Sequence, residues 1–154
     1  MDSPPYVATI DVTAASERLP GYFVMGSPCV ALLAVPSSPS QYLNTVGPKT
    51  RNMISKARRR SYYHAPFVWN ERLADIHEVN TSKPVRQGKP MSRAYKAFPQ
   101  QSAEAAYAVR TGVFLEDTLV AYAKCVRMHQ LSIIVTIIGH ADHLTHGVMN
   151  MLVY

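Results

Sequence analysis

A chain of 154 residues that is 47% hydrophobic and 17% charged is long enough to bury a core and too apolar for an intrinsically disordered chain, so a single domain over residues 1–154 is expected. Its formal charge of +6 is uneven: residues 49–98 hold 12 Lys and Arg against only Glu71, Asp75 and Glu78, a balance of +9 that leaves −3 for the rest. A concentrated positive charge of this kind calls for an anionic partner.

In chain order, the opening Met1-Asp2-Ser3-Pro4-Pro5 lacks the positive charge and apolar run of a signal peptide. Residues 6–13 alternate Tyr6, Ala8, Ile10 and Val12 with Val7, Thr9, Asp11 and Thr13, the pattern of a half-buried strand. Apolar runs at 22–25 and 29–35 flank Gly26-Ser27-Pro28 and read as a hairpin or bent strand pair. Pro36-Ser37-Ser38-Pro39-Ser40 and Gly47-Pro48 are loop chemistry leading into the cations.

Residues 49–64 form the first basic segment. Lys49, Arg51, Lys56, Arg58, Arg59 and Arg60 suit a short helix with Thr50 or Asn52 capping it and Met53, Ile54 and Ala57 as a small apolar side. Tyr62, Tyr63, His64, Phe67 and Trp69 follow, and cations beside flat rings suit phosphate contact with base stacking. The same mixture suits an anionic membrane face, and a packed strand at Phe67-Val68-Trp69 with the arginines as a solvated rim is the plainer alternative. Residues 70–79 predict a helix capped by Asn70, with Leu73, Ile76 and Val79 inward. Residues 80–101 carry no acid and bring Lys83, Arg86, Lys89, Arg93 and Lys96 at regular intervals among Pro84, Gly88, Pro90 and Pro99, which predicts a basic loop.

Beyond Pro99 the chain has no proline. A stripe of Ala105, Val109, Gly112, Leu115, Leu119, Tyr122 and Val126, with Ser102 as cap, predicts one long helix over about 102–127. Residues 131–138 alternate as a central strand, and the apolar run 148–154 predicts a returning strand. The expected fold class is α+β, an antiparallel sheet packed against the long helix with a basic, loop-rich middle segment.

Chemistry-bearing clusters are few. His140, His143 and His146 with Asp142 form the densest one, a weak metal candidate or the basis of a metal-dependent hydrolase. Their spacing resembles the HxHxDH pattern of metallo-β-lactamases, but Ile138 replaces its first His and too few residues follow for that fold. No nucleophile or phosphate-loop signature occurs, Glu116-Asp117 reads as a solvated carboxylate pair, and neither an enzyme, a cofactor nor a small-molecule substrate is expected. Cys29 and Cys125 lack the spacing of a metal or disulfide framework and suit free thiols in a reducing, cytoplasmic compartment. No apolar run approaches the roughly 20 residues of a membrane span.

Ser3-Pro4-Pro5-Tyr6 and Pro36-Ser37-Ser38-Pro39 resemble relaxed forms of the PPxY and P(S/T)AP late-domain motifs of enveloped-virus matrix proteins. The Tyr stands one place early, and Ser38 replaces the Ala. The resemblance implies a structural assembly protein, viral and virion-associated, which forms homo-oligomers and holds ribonucleoprotein or an anionic membrane through its basic segments. An RNA-binding subunit of a larger ribonucleoprotein is the alternative expectation.

Overall fold

Proline at the first helical position gives up no hydrogen bond and presets φ, so Ser38-Pro39 and Gly47-Pro48 are chemically suited to start helices. Both do so in the computed structural model, which describes residues 36–103, 106–128 and 131–154. Helix α1 (Pro39–Thr45) is capped by the Ser38 hydroxyl, which accepts from the Gln41 N–H at 3.2 Å. The tetrapeptide Pro36-Ser37-Ser38-Pro39 is therefore occupied as a helix cap, while Ser3–Tyr6, Cys29 and the strands expected before residue 36 lie outside the described residues. Helix α2 (Pro48–Arg59) starts from Gly47 and is followed, after the C-cap Arg60, by Ser61, whose φ of 64° turns the chain while its N–H donates to the Arg58 carbonyl at 3.0 Å. The basic run is thus a helix, begun by Gly47 and Pro48 rather than by Thr50 or Asn52, and its Ile54 and Ala57 are buried.

Strand β1 (Tyr62–Pro66) follows, then a 3-10 turn at Trp69–Glu71 and helix α3 (Leu73–Thr81). Ile76 and Val79 point into the core as expected, but the helix is entered from Arg72 rather than Asn70. The basic loop holds a small hairpin, β2 (Val85–Arg86) against β3 (Lys89–Pro90), turned by Gln87 and Gly88 at φ 50° and 76°, and a single helical turn, α4 (Arg93–Lys96).

The long helix expected over about 102–127 is instead a hairpin of strands β4 (Ala108–Leu115) and β5 (Thr118–Met128). Glu116-Asp117 makes its turn, with Glu116 at φ 54°. The helical stripe is misleading because β5 is buried on both faces between Leu119 and Ala123, and such a strand shows a continuous apolar run rather than alternation. The β-branched Val109, Thr111 and Val113 and the tight turn carry the opposite preference and prevail. Strand β6 (Leu131–Gly139) covers the strand expected at 131–138, but it lies at an edge of the described sheet rather than at its centre, because it pairs only with β5. The final apolar run folds as helix α5 (Val148–Leu152), not a strand, because Val148, Met151 and Leu152 are spaced to bury one helical side.

The fold is α+β. Its antiparallel sheet runs β1-β4-β5-β6, and helices cover both sides. Ala121 and Ala123 of β5 pack with Ala57 of α2 and Val148, Met151 and Leu152 of α5. Tyr122 packs on the opposite side with Ile76 and Val79 of α3 and Tyr95 of α4. There the Tyr122 hydroxyl donates to Asn80 Oδ1 at 2.7 Å, both side chains being buried. Arg72 fastens the hairpin turn to α3, donating to the Asp117 carbonyl at 2.7 Å and its carboxylate at 2.6 Å.

Gly147 joins the last 3-10 turn, Ala141–His146, to α5 with φ 89°, and a Cβ there would collide with the Met53 backbone of α2. An alanine costs roughly 1–2 kcal/mol for the left-handed conformation alone, with the collision added. Gly147→Ala is therefore expected to lower the unfolding free energy by about 2 kcal/mol or more, read from urea midpoints.

Candidate nucleic-acid interface

The apolar side of α2 fixes where its cations go. With Ile54 and Ala57 inward, Lys49, Arg51, Asn52, Ser55 and Arg59 are exposed. Some of the expected binding residues already have structural partners. Arg51 donates to the Val46 carbonyl at 2.6 Å and ties α1 to α2. Lys56 donates to the Thr145 carbonyl at 2.8 Å, and the Arg58 guanidinium lies 4.6 Å from the Tyr154 ring centre. Lys49, Arg59 and Arg60 are exposed, and among the described residues no carboxylate pairs with them.

The second basic segment does not extend this surface. Ala57 and Tyr62 pack on one side of the sheet, whereas Met91 and Tyr95 pack on the other, so Lys83, Lys89, Arg93 and Lys96 are exposed on the opposite layer from α2. Arg86 is half-buried and donates to the carbonyls of Gly139 and Val79, each at 2.9 Å, and to Ser82 Oγ at 3.1 Å. Desolvation lowers its pKa, with Tyr122 opposing the shift. It holds the end of β6 to α3 rather than facing solvent.

The aromatic residues divide similarly. Tyr62 is buried and Trp69 is half-buried edge-on to Tyr122, so neither offers a free face to a base. Tyr63 is 45% exposed, stacked on Phe114 at 5.4 Å, and its hydroxyl donates to the Glu116 carbonyl at 2.8 Å. An open groove of about 530 Å³ runs beside it, lined by Arg58, Tyr62, Tyr63, His64 and Tyr154. His64 meets the Thr111 hydroxyl, and burial holds its pKa below the usual imidazole range.

Sequence reasoning found the histidine cluster but missed its partner. The Tyr62 hydroxyl stands 2.6 Å from His143 Nδ1 and 2.7 Å from His146 Nδ1, joining residues 81 and 84 positions apart. Neither Nε2 atom has a hydrogen-bond partner among the described residues, and both side chains are half-buried. His140 Nδ1 accepts from the Asp142 N–H at 3.3 Å, and its ring lies 5.3 Å from that of His143. Among the described residues no three His, Cys, Asp or Glu side chains converge as a metal-ligand set. Burial lowers the His143 pKa, helped by His140 and His146 and opposed by Asp142 and Glu78. Burial also lowers that of His146, reinforced by Arg60 and Lys56, and raises that of Tyr62, opposed by Arg60. Cys125 is a free, half-buried thiol whose pKa burial raises, and no described helix is long and apolar enough to cross a membrane.

The lowered imidazole pKa values give stability a sign. Between the folded values and about 6.5 the unfolded chain binds more protons, so stability is full above about pH 6.5 and is lost as the pH falls below it. The urea midpoint is expected to fall between pH 7.5 and 5.5, and to fall less when His64, His143 and His146 are all replaced by Gln. No family model, no curated protein and no solved structure matches the chain.

Proposed function

We propose that the chain is an RNA-binding protein that contacts phosphates through the outer side and C-terminal end of α2. The observation that carries this reading is the run Arg58-Arg59-Arg60, without an acidic partner among the described residues, beside the groove of about 530 Å³ lined by Arg58, Tyr63 and His64. RNA is favoured over a bilayer because the apolar residues of α2, Ile54 and Ala57, are turned inward. An interfacial helix needs such residues outward to bury them among acyl chains. With Tyr62 buried, binding is mainly to the sugar–phosphate backbone and has little sequence preference.

A second reading, a self-associating assembly protein, is favoured by β6. It is an edge among the described strands, has no charge or proline, and exposes Ile134, Val135 and Ile137 by 50%, 55% and 41%. Bare edges of this kind are templates for pairing with another chain.

For RNA, replacing Arg58, Arg59 and Arg60 together with Gln is expected to weaken binding of a single-stranded oligonucleotide. The log–log salt slope is expected to shrink by about 2, because each phosphate that an arginine neutralises on a single strand adds about 0.7 to it. An unchanged slope, or equal retention of the parent protein on acidic liposomes, contradicts the RNA reading. For self-association, light scattering on a size-exclusion column is expected to show oligomers that Val135→Lys dissolves; a monomer at every concentration removes that reading.

A further inference from the structure

Resting on the RNA-binding reading, we propose that His146 and His143 form a metal-independent acid–base pair that cleaves RNA by transesterification, with Tyr62 as the positioning residue. A catalytic imidazole needs one nitrogen held by an orienting group and the other presented to solvent. Here one hydroxyl holds two half-buried rings at once, by Nδ1 at 2.6 Å and 2.7 Å, and both Nε2 atoms are without partners among the described residues. The ring centres are 6.0 Å apart. The Tyr62 oxygen has lone pairs to accept Nδ1–H from both rings. In that arrangement a neutral ring presents a bare Nε2 and a protonated ring presents Nε2–H.

The surrounding charges divide the roles. Lys56 and Arg60 bear on His146 and disfavour its proton, which makes it the base. Burial, His140 and His146 lower the His143 pKa as well, but there Asp142 and Glu78 partly offset them, whereas no carboxylate offsets Lys56 and Arg60 at His146, so His143 is the better placed of the two to be the acid. Lys56 is already fixed beside the pair by its 2.8 Å bond to Thr145, between the two histidines in sequence. Its ammonium and the Arg60 guanidinium supply positive charge for the anionic phosphorane.

The step balances without a metal or co-reactant. His146 Nε2 takes the proton of a ribose 2′-hydroxyl, and the 2′-oxygen bonds to the adjacent phosphorus. The bond from phosphorus to the 5′-oxygen breaks, and that oxygen takes the proton from His143 Nε2. The products are a 2′,3′-cyclic phosphate and a 5′-hydroxyl, and exchange with water restores the two imidazoles.

The test uses the full chain, a labelled single-stranded RNA and the same oligonucleotide with 2′-deoxy residues, in EDTA from pH 5 to 8. Cyclic-phosphate ends are expected from RNA and none from the deoxy analogue. The rate is expected to pass through a maximum below about pH 6.5, where one ring carries a proton and the other does not. His146→Gln and His143→Gln are each expected to reduce cleavage by about 100-fold or more, with binding of the deoxy analogue retained. Tyr62→Phe is expected to lower the rate and displace the pH maximum. Binding without cleavage by the parent chain overturns this inference and leaves the RNA-binding reading standing; loss of binding overturns both. Cleavage undiminished in either histidine variant assigns the activity elsewhere and also overturns it. The pH maximum of the parent protein decides even if a variant fails to fold.

Discussion

The burial of β5 on both faces is the constraint from which the rest of the described structure follows. Leu119, Val120, Ala121, Tyr122 and Ala123 are all nearly inaccessible, and alternate side chains of a strand point to opposite sides of its sheet. Each side therefore needs its own cover. Helices α2 and α5 supply it over Ala121 and Ala123, and α3 and α4 over Tyr122. The Tyr122–Asn80 hydrogen bond lets the second side accept a hydroxyl without leaving it unsatisfied. Removing one partner would strand the other at a cost of about 1–3 kcal/mol, more than the roughly 1 kcal/mol the pair contributes net.

The same arrangement governs the distribution of charge. Because the sheet stands between α2 and the loop carrying Lys83, Lys89, Arg93 and Lys96, the two basic segments are separate surfaces of different character. On the α2 side the cations lie next to the imidazoles. Tyr62 bridges the two levels of organisation: its ring belongs to the core that α2 and α5 build, and its oxygen belongs to the histidine pair. Packing of the ring thus sets the position of the polar group.

Much of this was legible in the sequence where a local signal agreed with the tertiary outcome. The basic helix, the inward Ile76 and Val79 and the α+β class rest on periodicity that burial reinforces, whereas β6 was legible from its β-branched content although Ile134, Val135 and Ile137 are exposed. The β4–β5 hairpin was not legible, because a strand covered on both sides loses its alternation and a fortuitous stripe of Val109, Gly112, Leu115, Leu119 and Tyr122 imitates a helix. Helix α5 was missed because a five-residue segment is too short for periodicity to separate from a strand. The histidine cluster was visible as composition, but its partner was not: Tyr62 read as a surface ring because nothing local marks a residue whose partners are about 80 positions away. The φ of 54° at Glu116 was equally hidden, since Glu is not a residue that advertises a left-handed turn.

Gly147 has a consequence for descent. Its left-handed backbone and the closeness of the Met53 carbonyl leave no room for a side chain, whereas an exposed arginine of α2 can be exchanged for lysine or moved by a turn with little penalty. For folding alone, substitution should therefore spare this glycine longest. Any homologue of the chain, however diverged, should be recognisable by a glycine between a His-containing turn and an apolar helix, aligned with a tyrosine at the start of β1, long after its net charge has drifted.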